Sequence, residues 1–383
     1  MDKTNNSSRD LSTDTLVEIL VRLPPNSRRR LRLVCRRWRK LIDQRTGTDM
    51  QIRTKIIAVA KGPTTSVVDL LKPGSPRLPL WRTNSYTAQD NSTMSIVGTC
   101  NGLVCLCDDL IHGGAIIVAN PSTDETLYLP PLPTSRAPVD LDSNRKRSWH
   151  QTYGFGYHHG TGRYKVVHAP CQPRDIVHVF TLGEASWREV HAETNARCSL
   201  GCSSIINVDD MIYWLTEEAG KIMSFDLKHE RVTHTNPLAV PAMSSTYHLA
   251  KLHGRLGIAI SDDDYVSLWV LEGERWSHRY ILELRQQEKW MMKRELLVPH
   301  LVPGDYFLTL TRESWSGFFV LYRHMMSETS RLQQDGVVQI GHRDQGEEVA
   351  CFPRCIYQIF SYVETNEPLN VYKTVLDHNK RWS

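Results

Sequence analysis

The sequence predicts an α + all-β chain, with a small N-terminal helical module followed by a large β-propeller-like domain of about six blades. Three observations predict it. Apolar residues at helical spacing are concentrated between Leu11 and Arg45. From about Lys55 onward, short apolar runs are punctuated by Gly, Pro, Asp and Asn, the pattern of strands and turns. Strand openings in that region recur near Lys55, Asn101, Tyr153, Asn207, Lys251 and Gly304, at intervals of 44–54 residues. Such a period fits one multi-stranded blade.

With 383 residues, the chain has room for a small module and one large domain. The expected division is a disordered polar tail over 1–9, a helical module over 10–48 and the β-domain over 49–383. No apolar run approaches the ~18 residues of a membrane helix. Met1 to Asp10 lacks the apolar core of a secretory leader. The expectation is a cytoplasmic and/or nuclear protein with no membrane partner. Nine cysteines, an odd number in a large chain, point to reduced thiols. Cys198 with Cys202 and Cys351 with Cys355 are spaced loosely for zinc, and no second pair completes a four-ligand set, so no metal or other cofactor is expected.

The net charge of +4 is unevenly placed. Residues 1–50 carry 12 Lys and Arg against 6 Asp and Glu, a net of +6, which leaves −2 for the remainder. The basic character belongs to the N-terminal module alone, and its partner is expected to be acidic.

Within that module, Ser12-Thr13-Asp14 supplies N-cap candidates, and Leu16, Ile19, Leu20 and Leu23 form one apolar face. Pro24-Pro25 stops the first helix, and Asn26-Ser27 can cap a second. A third segment places Val34, Cys35, Trp38, Leu41 and Ile42 at helical spacing, with Arg36, Arg37, Arg39 and Lys40 on the remaining surface. Some 35 residues bury too little area to be robust alone. A partner protein is the natural cover, with Trp38 as an aromatic anchor.

The run from Leu11 to Asp43 resembles the F-box family over nearly its full length. The resemblance rests on Leu11, the Leu16–Ile19–Leu20 face, Arg22-Leu23-Pro24, Ser27 and Val34-Cys35-Arg36-Arg37-Trp38-Arg39. It implies that Leu11, Leu16, Ile19, Leu20, Leu23, Pro24, Val34, Cys35, Trp38 and Leu41 face a Skp-type adaptor, and through it a cullin scaffold. Ser12 and Arg28 depart from the family's usual proline and leucine. Two other accounts of the eight Lys and Arg between Arg28 and Lys40 compete: a nucleic-acid patch and a solvated face. The third segment offers few base-reading side chains, so nucleic acid is the disfavoured partner.

In the β-domain, candidate strands are Lys55–Ala60, Leu103–Leu106, Ala115–Val118, Tyr164–His168, Ile176–Thr181, Ile212–Leu215, Leu256–Ile260, Val266–Leu271, Tyr306–Leu310 and Phe318–Tyr322. Leu282 to Leu297 is the one stretch that reads as a surface helix. An irregular pair of β-sandwiches is the competing architecture. The stretches NGLVCLCDDLIHGGAIIVANPSTDETLYLPPLP and YGFGYHHGTGRYKVVHAP resemble the plant F-box-associated domain, closely from about Ser95 to Val190 and at pattern level afterwards. This resemblance implies a substrate receptor of a ubiquitin ligase, non-catalytic itself, that presents an unknown protein target. An F-box-derived interaction module without a ligase role is the alternative.

No catalytic constellation emerges. His158-His159 reads as an exposed hairpin turn, Asp262-Asp263-Asp264 as a solvated turn, and Gly154-Phe155-Gly156 lacks the helix a phosphate loop needs. Ser203-Ser204 forms no nucleophile elbow. Trp149, His150, Arg174, Trp214, Trp290 and Trp315 are in or near connections where recognition residues gather, although tryptophans in such folds more often pack blades.

Overall fold

The computed structural model describes residues 11–22, 31, 34–45, 55–60, 65–69, 78–79, 94–133, 149–170, 175–192, 196–198, 205–216, 221–235, 246–252, 254–261, 265–283, 300–302, 306–312, 319–325, 338–340, 347–352 and 356–373. Among them are two α-helices, α1 over Thr13–Arg22 and α2 over Arg36–Arg45. The second of the three expected helices, with Leu23, Pro24 and Arg28, falls largely outside the described residues. No described helix is long and apolar enough to cross a membrane.

The described strands form six sheets, each with a run of antiparallel strands that follow one another along the chain, to which the first and fifth add a strand from farther on. The second sheet runs Met94–Cys100, Leu103–Asp108, Ala115–Asn120, Glu125–Tyr128. The third runs Tyr153–His158, Arg163–His168, Ile176–Thr181, Arg188–His191. The fourth runs Ile206–Val208, Met211–Leu215, Ile222–Asp226, Arg231–Thr235. The fifth runs Thr246–Leu252, Arg255–Ser261, Tyr265–Glu272, Arg275–Glu283, with Val338–Ile340 added in parallel at its outer edge. The sixth runs His300–Val302, Tyr306–Arg312, Phe319–Met325, Glu347–Phe352.

The first sheet joins the two ends of the domain. Lys55–Ala60, Thr65–Asp69 and Leu78–Pro79 receive the last strand, Ile356–Tyr362, as their leading neighbour. Lys55 pairs with Tyr362 and Ile57 with Phe360, so a backbone ladder holds together residues some 300 positions apart. The leading strands of successive sheets touch one another in turn, from Met94–Cys100 round to Ile356–Tyr362 and back. Closure of this kind leaves no leading edge open to pair with another chain.

The core lies between successive sheets. Ile57, Ile96, Val104, Ile117 and Tyr362 pack between the first and second, and Leu103, Val118, Tyr153, Phe155, Tyr164, Phe180 and Trp187 between the second and third. Val167, Val179, Ile212, Trp214 and Phe225 fill the space between third and fourth, and Val208, Ile222, Leu249 and Ile258 that between fourth and fifth. Gly154 and Gly156 sit on the strand that leads the third sheet. A Cβ at Gly154 would come within 2.7 Å of Ile205 and one at Gly156 within 2.9 Å of Leu227, so their lack of side chain lets the fourth sheet approach.

Every candidate strand of the β-domain is present, most of them extended by one or two residues. Several expectations need correction: the fifth sheet opens at Thr246, five residues ahead of Lys251, and the sixth at His300, four ahead of Gly304. The second sheet opens at Met94 and not at Asn101, which with Gly102 forms the first hairpin turn, at φ of 55° and 84°. Leu282 and Glu283 end a strand, and the rest of the expected helix to Leu297 lies outside the described residues, as does Asp262-Asp263-Asp264.

Candidate docking surfaces

The module begins with a cap. Ser12 Oγ accepts the backbone N–H of Thr15 at 3.1 Å and its carbonyl accepts that of Leu16 at 3.0 Å, satisfying donors that a helix start leaves open. Asp14 lies in the first turn, where the helix dipole favours an acid. Just ahead of α2, Cys35 Sγ accepts the Trp38 N–H at 3.4 Å. Arg37 Nη2 donates to the carbonyl of Leu11 at 3.0 Å, pinning the approach to α1 against α2. Ser12, the departure from the family's proline, is thus the functioning cap.

Between the two helices Leu16, Leu20, Leu41 and Ile42 are buried, with Val17, Leu31 and Trp38 packed partly against them. This divides the predicted contact set. Leu16, Leu20 and Leu41 spend their apolar surface inside the module, whereas Leu11, Ile19 and Val34 are 48%, 42% and 63% exposed. Ile19 lies on the flank of α1 that the packing of Leu41 and Ile42 on Leu16 and Leu20 leaves outside. Val34 and Cys35 precede α2 and do not sit on it; a turn closed by the Val34 N–H on the Leu31 carbonyl at 3.1 Å leaves both side chains exposed. Trp38 is half-buried, one part in the core and another outside. Leu23 and Pro24 lie outside the described residues.

The β-domain motifs act mainly as joints. Leu129 and Leu132 are buried, and the Pro130 carbonyl accepts Trp187 Nε1–H at 2.7 Å from the next sheet. Asn120 is fully buried; its Nδ2 donates to the carbonyls of Thr365 at 3.1 Å and Glu367 at 2.8 Å, while Oδ1 accepts the Ser122 N–H at 2.9 Å. Ser122 Oγ lies 3.1 Å from the Tyr362 hydroxyl, and Glu125 accepts the Leu369 N–H at 2.7 Å. The chain after the last strand is therefore strapped across the second sheet. Asn120-Pro121-Ser122-Thr123 falls in the stretch that carries the resemblance to the F-box-associated domain, but nothing local shows this anchoring role, whose partners lie some 245 positions away.

His158 corrects the expectation of an exposed turn. It ends a strand, is buried, and its Nδ1 lies 2.7 Å from Thr161 Oγ1. Burial lowers its pKa below the ordinary histidine value. His159 reaches the fourth sheet, with its backbone N–H and Nδ1 each 2.8 Å from Asp210 Oδ1. Burial alone would raise Asp210, but these contacts outweigh it and hold the carboxyl below its usual range. Nearby, the buried Lys165 donates to Glu230 at 2.7 Å, and Arg188 clasps the same carboxylate. The pairs join the third and fourth sheets.

Of the candidate recognition residues, Trp149 and Trp214 are buried, the latter donating to the Ala196 carbonyl at 2.8 Å. His150 Nδ1 lies 2.6 Å from Asp109 Oδ2. Arg174, Trp290 and Trp315 lie outside the described residues, as do Cys202, Cys355 and Ser203-Ser204. Cys105 and Cys107 are buried thiols whose pKa burial pushes far up, which makes them inert. Among the described residues no cluster of His, Cys, Asp and Glu is arranged to hold a metal.

Residues 56–354 match the family described as the F-box associated beta propeller domain, and residues 9–47 match the F-box domain. An F-box protein of Arabidopsis thaliana is 25% identical over 70% of this chain and 67% of its own length. An F-box/LRR-repeat protein of the same plant is 26% identical over 75% of this chain and 72% of its own. A third Arabidopsis F-box protein is 30% identical over 41% of this chain and 36% of its own length. The chain belongs to the F-box-associated β-propeller family and carries an F-box domain ahead of the propeller domain.

Proposed function

We propose that the chain is the substrate-recognition subunit of an SCF-type ubiquitin ligase, bridging a Skp-type adaptor, and through it a cullin, to a protein target. The carrying observation is one chain matching an F-box over residues 9–47 and an F-box-associated propeller domain over residues 56–354. In this reading the F-box is a three-helix module spanning about residues 10–48, and the β-domain is a six-bladed propeller closed by Ile356–Tyr362. Leu11, Ile19, Val34, Cys35 and the outer part of Trp38 form the adaptor-facing surface, while Leu16, Leu20 and Leu41 hold the helices that present it. The chain contributes no chemistry. It raises the effective concentration of the ubiquitin donor near target lysines, in the cytoplasm, the nucleus or both.

The test is reconstitution of the full chain with a Skp-type adaptor and a cullin. Recovery of the cullin on the immobilised chain, only when the adaptor is present, is the expected result. Cullin absent in the presence of adaptor would overturn the ligase assignment.

A further inference from the structure

The start of α2 carries charge that its own helix does not favour. Arg36, Arg37, Arg39 and Lys40 are all exposed, and no acid stands in the first turn. The N-terminal end of a helix dipole is positive, so arginines at this place are opposed by it. Arg36 and Lys40 are also a like-charged pair four residues apart, which weakens a helix further. The first turn of α1, by contrast, has Asp14. At about 100° per residue, Arg36, Arg39 and Lys40 fall on the side of α2 away from Leu41 and Ile42, which pack toward α1.

The module does not neutralise these cations. Among the described residues Arg36 and Lys40 meet no carboxylate, and Arg37 donates to a carbonyl, that of Leu11, at 3.0 Å. In the β-domain, Arg163, Arg188, Arg255 and Arg279 each meet a glutamate. The uncompensated charge borders the apolar docking surface. Val34 and Cys35 immediately precede Arg36, Arg37 touches Leu11, and all of them are exposed. An acidic partner was expected from the charge excess of residues 1–50; the structure shows which cations remain to meet it and that they lie beside the apolar contact.

Resting on the receptor assignment above, we propose that the basic face of α2 is the electrostatic half of the adaptor dock and takes an aspartate- and glutamate-rich segment of the Skp-type adaptor. Arg36, Arg37 and Lys40 draw that segment in and orient it, after which Leu11, Ile19 and Val34 close the apolar contact. Charges at the rim of an interface act on the rate of encounter, whereas buried apolar contacts act on the rate of release. The face therefore selects among adaptors by charge, and one with the same apolar surface but no carboxylates beside it associates slowly.

The experiment measures association and dissociation rates of a Skp-type adaptor on the immobilised full chain, from about 50 mM to about 500 mM salt. The variant combines Arg36→Gln and Lys40→Gln, since neither side chain holds the fold and glutamine suits a helix. Wild-type association should slow steeply with salt. In the double variant it should be slower by at least about tenfold at low salt and nearly flat with salt, with dissociation changed by less than about twofold. Arg255→Gln should leave both rates unchanged. Salt-independent wild-type association, a double variant as fast as wild type, or an effect confined to dissociation would each overturn the proposal. So would capture of duplex DNA or RNA that the double variant loses while its adaptor rates stay unchanged, which would assign the face to nucleic acid. A wild-type chain that does not hold the adaptor at all overturns the receptor assignment as well, whereas an adaptor held with rates indifferent to the double variant overturns this inference alone.

Discussion

Replacing Asn120 by alanine tests how the propeller domain is strapped shut. The side chain makes three hydrogen bonds from a fully buried position, two of them to the carbonyls of Thr365 and Glu367. Alanine leaves those groups without their partner, at about 1–3 kcal/mol each before relaxation. Partial relaxation of a terminal strap brings the expected loss to about 3 kcal/mol. Over roughly 300 residues, with an unfolding entropy of about 2.1 cal/mol/K per residue, that corresponds to a fall of about 5 °C in the β-domain transition. Asn120→Asp should be at least as damaging, because a carboxylate can still accept from Ser122 but faces two carbonyl oxygens that need donors. Calorimetry of the full chain gives the shift, and hydrogen exchange over residues 363–373 gives its location. A shift below about 1 °C for alanine, or an aspartate variant as stable as wild type, would refute the reasoning.

Three further outcomes follow from the same geometry. Gly102→Ala puts a Cβ 2.2 Å from the Val363 carbonyl oxygen at a φ of 84°, so it should loosen the strap and raise exchange at 363–369 without affecting adaptor capture. Leu20→Ala removes a fully buried side chain from a four-residue core and should cost about 2–5 kcal/mol, enough to unfold the F-box, as seen by loss of far-UV helical signal and proteolysis ahead of Lys55. Stability should also fall with acid. Burial lowers the pKa of His168 to about 3 and of His248 to about 4, both below the ordinary ~6.5. The unfolded chain takes up protons that the folded chain refuses, so this stability is complete above about pH 6.5 and is lost below it, by roughly 1.4 kcal/mol per pH unit for each histidine. Urea midpoints from pH 6.5 to 4.5 should show that slope reduced by one proton in His168→Phe; an unchanged slope would contradict it.

Much of the fold was legible locally. Lys55, Tyr153 and Asn207 mark sheet openings to within a residue because turns and apolar runs are short-range signals. The strand Met94–Cys100 was not legible: it is interrupted by Gly98, and its register shifts between Ile96 and Gly98, which breaks the alternation. His158 looked like a turn residue because what buries it includes Asp210, 52 positions away on the next sheet. In the F-box, periodicity located Leu16, Ile19 and Leu20 on α1. Which of them faces α2 and which faces outward is decided by the packing of Leu41 and Ile42, and spacing within one helix does not contain that information.

The central claim is that the F-box docks an adaptor through the residues its own core leaves outside. The direct measurement is equilibrium binding of a Skp-type adaptor to the full chain, wild type against combined Ile19→Asp and Val34→Asp. Both side chains are exposed, so the double variant keeps its helices and the β-domain transition. Losing two buried aliphatic contacts at about 1.5–3 kcal/mol each weakens binding by about 10²–10⁴-fold. Undiminished affinity in the double variant, or no binding by the wild-type chain, would contradict the account.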